Sequence, residues 1–78
     1  MHYYNLEDDN GNKIILSNEE EYSESEFHDL VQKAKTTIAN NECFMNMSRQ
    51  ALINGELETF LLNLIVKILD LDYNFERV

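Results

Sequence analysis

The chain has 78 residues, with 15 aspartates and glutamates against 6 lysines and arginines, a net charge of −9 and a single cysteine. That length allows one domain, close to the size at which a single hydrophobic core is barely sufficient, and Cys43 with only His2 and His28 for company provides neither an intrachain disulfide nor a zinc ligand set. The acidic balance argues against direct binding of nucleic acid or anionic lipid and makes a basic protein the expected charge-driven partner.

Residues 2–17 read as a β-hairpin. Two β-prone runs, His2 to Glu7 and Lys13 to Ser17, flank Asp8-Asp9-Asn10-Gly11-Asn12. Asn10-Gly11 is the pair that a type I′ turn prefers, because both residues tolerate positive φ. Tyr3 and Tyr4 fall on opposite faces of the first strand, so one of them is expected to be exposed. The same loop misses the calcium-binding pattern: aligning Gly11 with the invariant glycine puts Leu6 and Ser17 where the essential carboxylates belong.

A helix is predicted over 24–39. Ser23 and Glu26 form a capping box, and Tyr22 and Phe27 occupy the positions of a hydrophobic staple. Phe27, Leu30, Val31, Ala34 and Ile38 then recur at helical spacing. His28 next to Asp29, with Glu24 one turn earlier, has the composition of a general base and its orienting carboxylate. No nucleophile or oxyanion donor accompanies it, so the histidine reads as a surface residue.

Segment 42–54 is ambiguous. Cys43, Met45 and Met47 alternate like a strand, while Phe44, Met47, Ala51 and Leu52 suit a helix. The helix formers Arg49 to Leu52 tilt the reading toward helix. Met45 and Met47 fit either an adaptable binding surface or a packed core.

The last element is expected to be a long apolar helix over 55–71, capped by Asn54 and opened by Gly55. Its apolar residues cover about two thirds of the circumference, against about one third for an ordinary surface helix. Such a helix must be covered on two sides, by 42–54 or by a second molecule. The second alternative makes Leu62, Val66, Leu69 and Tyr73 a candidate homodimer interface, which polar replacement of Leu62 and Val66 should dissociate. The apolar run Leu57 to Leu71 is shorter than a membrane span and carries Glu58, Lys67 and Asp70, so no membrane association is expected. No signal sequence opens the chain, which makes the cytoplasm the expected compartment.

The expected fold is therefore α+β, one domain over 1–78, with an N-terminal hairpin packed on two or three helices. The leading candidate site is an acidic face made of Glu7, Asp8, Asp9, Glu19, Glu20, Glu21, Glu24, Glu26 and Asp29, expected to run unbroken from the hairpin turn to the start of the first helix. It reads either as a docking surface for a basic protein or as a solvated face, with Glu24 and Glu26 accounted for by capping. With no phosphate loop, metal cluster or Ser-His-Asp arrangement, no cofactor and no catalysis are expected.

Two resemblances accompany this reading. Tyr22-Ser23-Glu24-Ser25-Glu26-Phe27 resembles the first-helix entry of bacteriocin-nuclease immunity proteins over about a dozen residues, without the Tyr-Tyr-Pro segment of that family. In size, acidity and lack of motifs the chain resembles phage anti-defence proteins such as anti-CRISPR proteins, a resemblance that implies a non-enzymatic inhibitor or adaptor.

Overall fold

The computed structural model describes residues 1–78 and orders them as two strands, three helices and a short third strand. β1 (His2–Glu7) and β2 (Lys13–Asn18) pair antiparallel from His2↔Asn18 to Glu7↔Lys13. Alternation puts Tyr4, Leu6, Ile14 and Leu16 on the buried face and leaves Tyr3 and Ile15 outside. The turn between the strands is not the mirror-image turn expected from Asn10-Gly11. Asn10 keeps negative φ and Gly11 alone is left-handed, at φ 85°. The Gly11 amide donates to the Asp8 carbonyl and the Asp8 amide to the Asn12 carbonyl. This is a three-residue loop with a glycine bulge, which uses one positive φ where the expected turn uses two.

α1 (Glu24–Ala39) begins as the sequence predicts. The Ser23 hydroxyl accepts from the Glu26 amide and the Glu26 carboxylate accepts from the Ser23 amide, both at 3.1 Å. Its buried stripe is Phe27, Leu30, Val31, Ala34 and Ile38. The two adjacent asparagines divide their work: Asn40 is the C-cap of α1, and the Asn41 side chain accepts from the Phe44 amide to start α2 (Glu42–Ile53). The ambiguous segment is thus helical.

Gly55 closes α2 instead of opening the last helix. At φ 75° it donates to the Leu52 carbonyl while the Glu56 amide reaches back to Ala51, the paired bonds of a Schellman motif. α3 consequently runs Leu57–Tyr73, two residues later than expected, and its N-cap Glu56 makes no side-chain cap bond. Nor does α3 stand apart by length or burial. It is one residue longer than α1, and only Leu62, Leu64, Ile65, Ile68 and Leu69 are buried, with Phe60, Leu61 and Val66 half-buried and Leu71 72% exposed. A helix wrapped on two sides is not what forms; one face enters the core and α2 shields part of a second.

Past α3 the chain reverses at Asn74, the one non-glycine residue with positive φ (58°), and drops Phe75 into the core before β3 (Glu76–Arg77) pairs with Leu16 and Ser17 of β2. Phe75 is completely buried. Its ring meets Tyr4 edge-on at 5.3 Å, Phe27 at 5.7 Å and Tyr22 at 5.6 Å, so strand, loop, helix and tail converge on one aromatic cluster. The sheet order is β1-β2-β3, and its inner face lies on the helices. Deleting the Phe75 ring should cost about 3–5 kcal/mol and release β3. Urea denaturation of Phe75→Ala checks the first outcome, and amide exchange at Arg77 and Val78 checks the second.

Candidate functional site

The hairpin register decides where the nine predicted carboxylates go. Glu7, Asp8 and Asp9 lie at the turn end of the hairpin, whereas Glu19, Glu20 and Glu21 leave its open end, where His2 pairs with Asn18. Six strand residues separate the two groups, about 20 Å at the usual rise per residue. The single unbroken acidic face expected from the sequence is therefore two clusters at opposite ends of the hairpin.

The open-end cluster is the denser one. Asn18 is buried, donates to the carbonyls of Tyr73 (2.6 Å) and Asn74 (3.2 Å), and accepts from the Glu20 amide (2.6 Å), which fixes the 18–22 bend against the end of α3. The Tyr4 hydroxyl braces the same bend, donating to the Glu20 carbonyl and accepting from the Tyr22 amide. Glu19, Glu20, Glu21, Glu24 and Glu26 are all exposed there, and Asp29 extends the charge one turn along α1. Glu76, which sequence reasoning missed, joins Glu19 and Glu20 around one cleft with Tyr73, because β3 brings the tail back beside Ser17. No lysine or arginine occurs between Lys13 and Lys33. The bonds that Glu20 and Glu26 do make go to neutral groups, the Tyr22 hydroxyl and the Ser23 amide. Burial and that contact with Glu20 hold the Tyr22 phenol above its ordinary value of 10.0, so it stays a neutral donor.

The turn-end cluster has a different character. Asp8 is committed to structure: its carboxylate accepts from the Asn12 side chain and from the Asn10 and Asn12 amides. The Asn12 side chain is the main reason its carboxyl lies below the ordinary 3.8, with backbone amides helping and partial desolvation opposing. The Asn10 side chain donates to Glu58 in the first turn of α3, tying the turn to that helix. Here the chain also places cations, Lys35 on α1 and Arg49 on α2.

Between these groups runs a groove that the sequence did not disclose. Its floor is Leu57, Leu61 and Ile65 of α3 with Ile38 of α1, and one lip is Met45 and Leu52 of α2. It encloses about 480 Å³. α2 creates it by packing with small side chains: Ser48 and Ala51 are its buried residues, while Met45, Leu52 and Ile53 on the neighbouring stripe stay exposed, Leu52 at 61% and Ile53 at 78%. The one signal in the sequence was that surplus of large apolar residues beside the Phe44, Ser48, Ala51 row.

The four residues expected to form a homodimer interface are placed otherwise. Leu62 and Leu69 belong to the monomer's own core, and Val66 and Tyr73 are half-buried against it. Leu62 and Leu69 present no free face, so polar replacement of Leu62 would unfold the domain before it could report on association. His28 and Cys43 are both exposed, on different helices, His28 in α1 and Cys43 at the start of α2. No group of three His, Cys, Asp or Glu side chains is arranged to hold a metal ion, and no helix is long and apolar enough to cross a membrane. Comparison with known proteins finds no matching family model, no similar curated protein and no similar solved structure.

The Asp8 carboxylate gives the turn end a pH dependence of known sign. Its folded value is depressed, so the stability it lends is complete above 3.8 and is lost as pH falls through the lower folded value. Carboxyl NMR titration should place the Asp8 midpoint below 3.8, and amide exchange at Asn10 and Asn12 should quicken in that window, an acceleration that Asp8→Asn abolishes.

Proposed function

We propose that the protein is a non-enzymatic binding module that docks a basic protein partner through its open-end acidic cluster, Glu19, Glu20, Glu21, Glu24, Glu26 and Glu76. The observation that carries this reading is the gathering of these exposed carboxylates at one pole, all but Glu76 in the stretch 14–32 that contains no lysine or arginine, on and beside a bend locked by Asn18 and Tyr4. A solvated face kept only for solubility needs no fixed backbone beneath it. A docking surface gains from one, because charges already in position lose less entropy on binding. Glu7, Asp8 and Asp9 fall outside this surface.

A partner whose cationic groove otherwise holds nucleic acid is the natural match, since such grooves present rows of lysine and arginine at spacings that suit clustered anions. Occupying that groove would make the protein an inhibitor or an adaptor, as phage anti-defence proteins are. Intracellular action in the cytoplasm belongs to the same proposal.

Affinity capture from the native host with immobilised protein, at about 50 mM and about 500 mM salt, tests the reading. The expected outcome is retention of a basic protein at low salt, its loss at high salt, and its loss at low salt with Glu19→Lys/Glu20→Lys/Glu21→Lys. A reversal variant that is folded and retains the same partner undiminished overturns the proposal.

A further inference from the structure

The groove at the turn end carries an inference independent of the acidic pole. We propose that it is the surface through which two copies of the chain associate, groove against groove about a two-fold axis.

Three observations select a second copy as the occupant. The groove is bordered by opposite charges: Glu7, Asp9 and Glu58 on the side of the hairpin turn and α3, Lys35 and Arg49 on the side of α1 and α2. A two-fold axis through such a groove sets the acidic border of each copy against the basic border of the other, the self-complementarity an isologous contact requires. A uniformly basic partner would meet Lys35 and Arg49 as repulsive neighbours, and its attraction is to the other pole. Second, each copy supplies what the other's groove lacks. Met45 and Leu52 form the α2 lip beside an apolar floor of Leu57 and Leu61, and exposed Ile53 adjoins Leu52 in the chain, so the lip of one copy has a place in the hollow of the next. Third, the geometry removes the objection raised by a charge of −9 on each chain. Glu19, Glu20 and Glu21 sit about 20 Å from the hairpin-turn border of the groove, more than two screening lengths of about 8 Å at physiological salt, and a two-fold contact at the turn end sends the two poles away from each other. A stable dimer of this kind covers about 800 Å² per copy, about a seventh of the 5555 Å² surface of the monomer.

The test is the solution mass of the purified protein by light scattering and sedimentation at concentrations up to about 0.1 mM, where mass action favours association. The wild type should have twice the 9.2 kDa mass of one chain. Leu52→Asp/Ile53→Asp should halve that mass with an unchanged circular dichroism spectrum, because both side chains are outside the monomer core. Lys35→Glu/Arg49→Glu and Glu7→Lys/Asp9→Lys should each be monomeric alone, and mixing the two should restore a dimer containing one chain of each. A monomeric wild type, which would leave the groove for a helix of some other protein, overturns the proposal. So does a dimer that survives the Leu52/Ile53 change, or a pair of charge variants that stay apart when mixed. Reversal of Glu19, Glu20 and Glu21 leaves the dimer intact, so loss of the basic partner in that variant and loss of dimer in the groove variants are separately readable.

Discussion

The side chain of Asn18 donates to two carbonyls at the end of α3 and accepts the amide of Glu20, so that this one buried amide ties the bend after β2 to the far end of the chain. Without it the carbonyls of Tyr73 and Asn74 would lose the one donor that ties them to the end of β2. With it, the reversal at Asn74 lies directly beneath the hairpin, Phe75 enters between Tyr4, Tyr22 and Phe27, and β3 pairs with β2. The position of every carboxylate at that pole follows, because the backbone that bears Glu19, Glu20 and Glu21 is the backbone Asn18 and Tyr4 restrain.

A polarity results that composition alone does not contain. The net charge is a property of the whole chain, but the hairpin sends its two acidic groups to opposite ends. The groove at the turn end receives two cations, Lys35 near the end of α1 and Arg49 in the middle of α2. One pole carries a surplus of carboxylates and the other is nearly balanced around an apolar hollow. These are the ingredients of two contacts of different kind, one governed by salt and one by burial of apolar surface.

What the sequence disclosed was local chemistry. Ser23 and Glu26 are three residues apart and their reciprocal bonds are a property of that short stretch, so the start of α1 could be read directly. Asn10-Gly11 marked the hairpin, though not its turn type, because the Asp8 side chain draws the Asn10 and Asn12 amides toward itself and leaves only Gly11 to turn left-handed. Gly55 was legible as punctuation but not as to which helix it served; glycine is favoured far more after a helix than before one, and that asymmetry decides the matter. Phe75, β3 and Glu76 were out of reach, since a lone aromatic among polar residues has no periodicity, and its importance comes from partners 48 to 71 positions earlier in the chain. Of the acidic site, all the residues but Glu76 were legible and their partition was not. The groove belongs to the contact of three helices and a turn, which no local pattern records.

The small side chains by which α2 docks have a further consequence. Ser48 and Ala51 bring little apolar area out of water, at about 25 cal/mol per Å², so α2 is held chiefly by its caps, by half-buried Phe44 and by its covalent tether at either end. It therefore buries less of its own apolar surface than α1 or α3, each of which sinks five residues into the core. The lip of the groove is the helix of this domain whose place depends least on the core and most on its two ends.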